Sequence, residues 1–165
     1  MKASQDRVDP RVWRIAATCS CGPLMLGLDS TMVNISLDTL GQAFGMPLGS
    51  IQWVVSAYLL ALALALPLSG WLMDRVGGRP IFLGCFVIFV LGSVLSAMAV
   101  TVEMLIASRV LQGIAGGLLA PMIQLMMAHH AGRHMARVIG IAAMPVMGGQ
   151  MLGPSLGGLL LMHLG

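Results

Sequence analysis

The feature that most constrains this chain is a series of apolar runs, each long enough to cross a bilayer. About 20 mainly apolar residues are needed to span the hydrocarbon. Five stretches qualify: 15–37, 51–73, 80–100, 104–128 and 138–161. Only 9% of residues are charged, against 58% hydrophobic. A soluble domain covers its surface with roughly a quarter charged residues, so the surface of this chain must meet lipid. The expected fold class is an all-α membrane protein of five transmembrane helices, because a helix satisfies its own backbone polar groups without water.

Basic residues orient the spans. Lys2, Arg7, Arg11 and Arg14 precede the first run, Arg75 and Arg79 follow the second, and Arg133 and Arg137 follow the fourth. The intervening connections, 38–50 and 101–103, carry none. Lys and Arg concentrate on the cytoplasmic side, so residues 1–14 form a cytoplasmic N-terminal segment and 15–165 the transmembrane part. The same placement excludes nucleic acid as the partner of the net charge of +3. The basic residues mark a membrane face, and no basic recognition helix is present. Three cysteines, Cys19, Cys21 and Cys85, lie within apolar runs and form no disulfide framework. His130 and His134 have metal-ligand spacing without further ligands nearby, so no metal site is expected. No nucleophile and base set points to an enzyme, and no catalytic residue is assigned.

Two ionisable residues interrupt the runs. Asp29 lies eight residues from the outer end of the first run, roughly 12 Å deep, and Arg109 five residues into the fourth, roughly 8 Å deep. An intramembrane charge is costly and marks a pathway or a pair. The two are opposite in charge and comparable in depth, so they can meet directly or through water. One reading is a structural polar contact between helices. The other is that Asp29 takes up and releases a proton while Arg109 biases its charge state, since a neighbouring cation favours a carboxylate and burial disfavours it.

Glycine follows the arginine. Arg109, Gln112, Gly113, Gly116 and Gly117 share one helical face, and small residues there let a neighbouring backbone come close. In the fifth run Pro145, Gly149, Gly153 and Gly157 repeat the device, and Pro145 and Pro154 are the expected kinks. Asn34 faces either a cavity or another helix. Between the second and third runs a short charged turn contains Asp74, Arg75, Gly77, Gly78, Arg79 and Pro80. Asp74 suits the next helix N-terminus, and Pro80 suits its first turn.

Four of these patterns resemble one family. Gly70-x-Leu72-x-Asp74-Arg75-x-Gly77-x-Arg79 is similar to the loop between helices two and three of the major facilitator superfamily. Leu105-x-x-x-Arg109-Val110-x-Gln112-Gly113-x-x-Gly117 resembles its helix-four motif, and Gly149-x-x-x-Gly153-Pro154-x-x-Gly157-Gly158 resembles the helix-five motif of its antiporters. Leu28-Asp29-x-Thr31-x-Val33-Asn34 resembles the helix-one motif of the fourteen-span drug:proton antiporters. Gly78 stands where the loop motif usually has a second basic residue, and Met73 where a small one is common. Ser36 and Asp38 replace the usual Ala and Pro closing the helix-one motif.

The resemblance implies the N-terminal part of a proton-coupled exporter of amphipathic or cationic organic compounds in the cytoplasmic (inner) membrane. The proton gradient would be its energy source, and no cofactor is implied. Asp29 and Arg109 would couple protons. Asn34, Gln112, Gly113, Gly117, Gly149, Gly153, Pro154, Gly157 and Gly158 would shape the cavity and helix packing. Gly70, Asp74, Arg75, Gly77 and Arg79 would form a gating loop. Such transporters comprise two six-helix halves with the substrate site between them, so five spans amount to a partial N-terminal half whose C-terminal partner half is missing. Alternative expectations are an uptake symporter of the same superfamily, a non-transporting assembly partner, and an inactive truncated remnant.

Overall fold

The structure is a computed structural model describing residues 10–131 together with residues 140, 144, 147, 148, 150 and 151. Every element among the described residues is helical: α1 (Pro10–Ala43), α2 (Leu48–Ile51), α3 (Trp53–Ala65), α4 (Leu68–Val76), α5 (Gly78–Ala97) and α6 (Val102–Ala131). The six isolated residues belong to the expected fifth run. Gly149, Gly153, Pro154, Gly157 and Gly158, with Pro145, Arg133, Arg137 and His134, lie outside the described residues.

Helix α1 is 34 residues long and carries a polar stretch in its second half. Its side chains return to their own backbone. Thr31 Oγ1 donates to the Gly27 and Leu28 carbonyls at 3.0 Å, Asn34 Nδ2 to the Ser30 carbonyl at 2.9 Å, and Ser36 Oγ to the Met32 carbonyl at 2.8 Å. These bonds satisfy hydroxyl and amide groups without a solvent partner. The helix ends in a Schellman arrangement. Gly45 adopts φ +61°, its N–H reaches the Gln42 carbonyl at 3.2 Å, and Met46 N–H reaches the Gly41 carbonyl at 2.9 Å.

The second expected run, 51–73, is not one straight helix. Helices α3 and α4 meet at a bend of 54°. Pro67 stands at the break, where it has no N–H to offer the Ala63 carbonyl and its ring crowds that group. The Leu66 carbonyl exposed by the break accepts from Ser69 Oγ at 2.7 Å, as membrane-embedded backbone requires. The kink thus falls at Pro67, a position the run's unbroken apolarity conceals.

Helix α4 stops at Gly77, whose φ of +89° and ψ of +153° turn the chain directly into α5. After α5, Thr101 caps α6, its Oγ1 accepting from the Met104 N–H at 3.2 Å. Glu103 adds a negative charge to the first turn of α6, where the dipole favours it.

Helix α6 is the central element. Helices α3 and α5 pack along it, and α1 and α4 pack more locally. One apolar cluster joins Ile81, Phe82, Cys85 and Phe89 of α5 to Ala115, Leu119, Met122 and Ile123 of α6. A second joins Ile51 and Val54 to Val102 and Leu105. The outward faces are equally apolar: Leu83, Val87, Leu91 and Val94 of α5 and Leu59, Leu60 and Leu64 of α3 are exposed. Only 22% of the α5 window is buried although its mean hydropathy is 2.3, whereas the α6 window is 56% buried at 1.4. Greater apolarity on the more exposed helix is the reverse of a soluble fold and places lipid around α5. Among the described residues α5 and α6 are each long and apolar enough to span, and α3 with α4 makes a third if the bent pair counts as one. The polar stretch of α1 keeps it off that count despite its length. The chain is a multi-pass, all-α membrane protein.

Candidate functional site

Asp29 projects from the polar half of α1 and Arg109 from the second turn of α6. They meet as an ion pair, Arg109 Nη1 donating to Asp29 Oδ2 at 2.6 Å, with side chains 7% and 14% exposed for Arg109 and Asp29 respectively. The second carboxylate oxygen is also engaged: Gln112 Nε2 donates to Asp29 Oδ1 at 3.3 Å. Arg109 and Gln112 lie one turn apart, so two adjacent donors on α6 grip both oxygens of one carboxylate on α1. Arg109 Nε is buried with no hydrogen-bond partner among the described residues.

Glycines on this face of α6 let its neighbours come close. A Cβ on Gly113 would stand 2.5 Å from the Tyr58 carbonyl oxygen and 2.9 Å from Ala61 Cβ, and one on Gly117 would collide with the Leu62 carbonyl and meet Ala65 Cβ at 2.9 Å. Gly113 and Gly117 therefore seat α3 through Ala61 and Ala65, a small-on-small contact spaced by four residues on both helices. Gly116 faces α1 and Tyr58, its missing Cβ lying 2.9 Å from Leu26 Cδ2 and 3.4 Å from the Tyr58 hydroxyl.

Beside the ion pair is a cavity of about 250 Å³, lined by Asp29, Ser30, Val33, Asn34, Val54, Val55, Tyr58, Leu59 and Arg109. Its wall is apolar apart from the pair and a few polar groups from α1 and α3, a composition suited to small organic ligands. Asn34 lines it, one turn beyond Ser30, and Gln112 does not. Gln112 is fully buried between α1, α5 and α6.

The charged turn is a separate place. Asp74, Arg75 and Arg79 are exposed at the α4–α5 junction, and the Arg75 guanidinium lies 4.9 Å from the Trp71 ring centroid. That contact holds Arg75 against α4 by a cation–π interaction. Gly70 lines a second cavity of about 360 Å³ with Met73, Pro121, Met122 and Gln124. From Arg109 to Gln124 the rise of α6 is roughly 22 Å, so the turn and the ion pair stand well apart along α6.

Four participants carry no sequence signal strong enough to single them out: Tyr58, Ser93, Ser96 and Ser108. Ser93 Oγ accepts from Gln112 Nε2 at 2.8 Å, Ser96 and Ser108 hydroxyls lie 2.6 Å apart, and Ser96 Oγ donates to Gln112 Oε1 at 3.4 Å. Ser93 and Ser96 are one turn apart on a helix that is otherwise almost wholly apolar. Tyr58 is the chain's single tyrosine.

Comparison with known proteins agrees with this architecture. The Major Facilitator Superfamily profile matches residues 19–165. The multidrug resistance protein B homolog of Mycobacterium tuberculosis is 37% identical over 157 residues, covering 94% of this chain and 29% of that protein. MdtD of Cronobacter sakazakii is 40% identical over 141 residues (84% of this chain, 30% of that protein), and MdtD of Escherichia coli is 38% identical over 152 residues (91% and 31%). The chain thus spans about three-tenths of the length of these relatives. With the profile covering nearly all of the sequence, and with the ion pair and glycine seam built from the residues of the helix-one and helix-four motifs, the chain belongs to the major facilitator superfamily.

Proposed function

We propose that this chain is the N-terminal part of a proton-driven exporter of amphipathic or cationic organic compounds in the cytoplasmic (inner) membrane. The observation that carries the reading is the buried Asp29–Arg109 pair beside a mostly apolar cavity. A carboxylate gripped by two donors from another helix is a two-state element: protonation removes the charge that holds Arg109 and Gln112, and deprotonation restores it. Since Asp29 is on α1 and its donors are on α6, gain or loss of a proton alters the attraction between these helices. The proton gradient then supplies the energy, with no cofactor.

In this reading residues 1–14 are cytoplasmic and 15–165 form part of an N-terminal transmembrane domain completed by a further half. Asn34 faces the substrate, Gln112 assists Asp29, and Gly113 and Gly117 keep α3 and α6 in contact. Gly149, Gly153, Pro154, Gly157 and Gly158 shape a hinge or cavity wall in the fifth span. Gly70, Asp74, Arg75, Gly77 and Arg79 gate from the α4–α5 turn. The name of the Mycobacterium tuberculosis relative, a multidrug resistance protein B homolog, supports the export of drug-like compounds.

The test is transport by inverted membrane vesicles carrying the full reading frame to which this chain belongs, energised by an imposed pH gradient. Addition of a lipophilic cation should release protons from the parent vesicles, and Asp29→Asn and Arg109→Ala should abolish release without loss of membrane insertion. Undiminished release in both variants would overturn the coupling role. Uptake of the cation with proton flow in the same direction would make the protein a symporter.

A further inference from the structure

The hydrogen bonds around Gln112 assign a role to a residue of α5 that contacts neither Asp29 nor the cavity. The Gln112 amide could in principle present either end to its surroundings, because its C=O and NH2 ends are nearly alike in shape. Only the NH2 end can serve an anionic carboxylate, since a carbonyl oxygen facing Asp29 would set acceptor against acceptor. Three groups select that end: Asp29 Oδ1 accepts from Nε2 at 3.3 Å, Ser96 Oγ donates to Oε1 at 3.4 Å, and Ser93 stands on the far side of the amide at the shortest of the three distances. The Ser93 hydroxyl has a single proton, and it donates that proton to the Phe89 carbonyl at 3.1 Å. Towards Gln112, at 2.8 Å from Nε2, the Ser93 oxygen therefore offers only a lone pair. A flipped Gln112 would place its carbonyl oxygen against Asp29 and would have to draw the Ser93 proton away from the Phe89 carbonyl.

A second feature is independent of the hydroxyl. Gly92 is buried, and a Cβ there would stand 2.5 Å from Gln112 Cγ and 3.3 Å from the Ser108 carbonyl oxygen. The absent side chain at Gly92 is the slot in which the Gln112 side chain lies. Gly92 admits it and the next residue orients it.

We propose that Ser93 is a positioning residue for the Asp29 site: by accepting from Gln112 it holds the amide with its NH2 group turned to the Asp29 carboxylate. Its importance to transport rests on the reading of Asp29 as the coupling group, whereas the positioning itself does not. Three other groups surround the carboxylate. Arg109 from α6 pairs with it directly, Gln112 takes its second oxygen, and Tyr58 from α3 shares its cavity. Ser93 acts through the second of these alone.

The experiment is infrared spectroscopy of the chain in nanodiscs with ¹³C-labelled aspartate, the Asp29 carboxylate band being identified by its loss in Asp29→Asn. Ser93→Ala should shift the band towards the position it takes in Gln112→Ala, and the double variant should match Gln112→Ala alone. Ser93→Thr and Ser93→Val, which match in shape and differ in the hydroxyl, guard against a packing or folding effect. The threonine variant should keep the parent band and the valine variant should not. An unshifted band in Ser93→Ala and Ser93→Val, or additive shifts in the double variant, would overturn the proposal. Proton release by vesicles carrying the parent frame is scored separately. Absent release with the expected band shifts leaves the positioning in place and removes the transport reading.

Discussion

Arg109 Nη1 lies 2.6 Å from Asp29 Oδ2, joining residues 80 apart in sequence, while the Nε of the same guanidinium is buried without a partner. The pair is thus held by one strong contact on the arginine side rather than by a bidentate fork. Removing a single partner strands a charge in a low-dielectric interior, which costs about 3–5 kcal/mol. Arg109→Ala and Asp29→Asn should therefore each lower the thermal midpoint in mild detergent. The combination of Asp29→Asn with Arg109→Ala should be less destabilised than the sum of the single changes. Additive losses would mean that the two side chains contribute independently and that the contact carries little coupling.

The glycine seam gives a prediction with an internal control. Gly113→Ala or Gly117→Ala places a methyl group against the α3 backbone, at the Tyr58 and Leu62 carbonyls. Neither carbonyl can retreat without moving α3. Overpacking of this kind costs about 1–3 kcal/mol, so both variants should melt earlier. At Gly84, on α5, a Cβ would meet nothing within 4 Å. Gly84→Ala should be neutral or stabilising by up to about 1 kcal/mol, because alanine is the better helix former. Equal effects at the three positions would show that helix propensity governs, and not the approach of α3.

How much of this was legible in the sequence follows from what each residue costs in a membrane. Asp29 and Arg109 stand out because a charge within an apolar run is expensive, and the glycines after Arg109 stand out because they recur on one face. Their partners are silent. Ser93 can discharge its hydroxyl on the Phe89 carbonyl of its own helix, so a serine in an apolar run is cheap and common, and its contact with Gln112 depends on α5 and α6 being side by side. Ala61 and Ala65, which receive the glycines, look like ordinary apolar residues of α3. The break at Pro67 is hidden for another reason: hydropathy registers apolarity, whereas the bend arises from a missing N–H and a fixed φ. The helix-five motif falls on residues outside those described.

The α4–α5 junction isolates a backbone requirement within the charged turn. Gly77 has φ +89° and stands as both the end of α4 and the start of α5, whereas Gly78 already belongs to the helix and has no positive φ. An L side chain at Gly77, in an extended positive-φ conformation that is essentially glycine's alone, would be strained by about 1–3 kcal/mol. Gly77→Ala should reduce stability by that amount, and Gly78→Ala should change it little. Thermal melts of the two variants settle the matter, and the reverse order would place the left-handed residue at Gly78.

The bend between α3 and α4 can be tested by restoring the group that Pro67 lacks. In Pro67→Ala the N–H can reach the Ala63 carbonyl and the helix can run on from Leu66, so the 54° angle should close. Spin labels at Leu60 and Val76, both exposed on opposite arms of the bend, report the change. With arms of about 9 Å and 14 Å from the helical rise, straightening lengthens the backbone separation by about 2 Å, which double electron–electron resonance resolves. The Ser69 hydroxyl, which serves the Leu66 carbonyl in the bent form, would then lose its purpose, and Ser69→Ala should cost less stability in the Pro67→Ala background than alone. An unchanged distance would mean that packing of α4 on α6, through Met73 and Met122, sets the angle and that proline merely tolerates it.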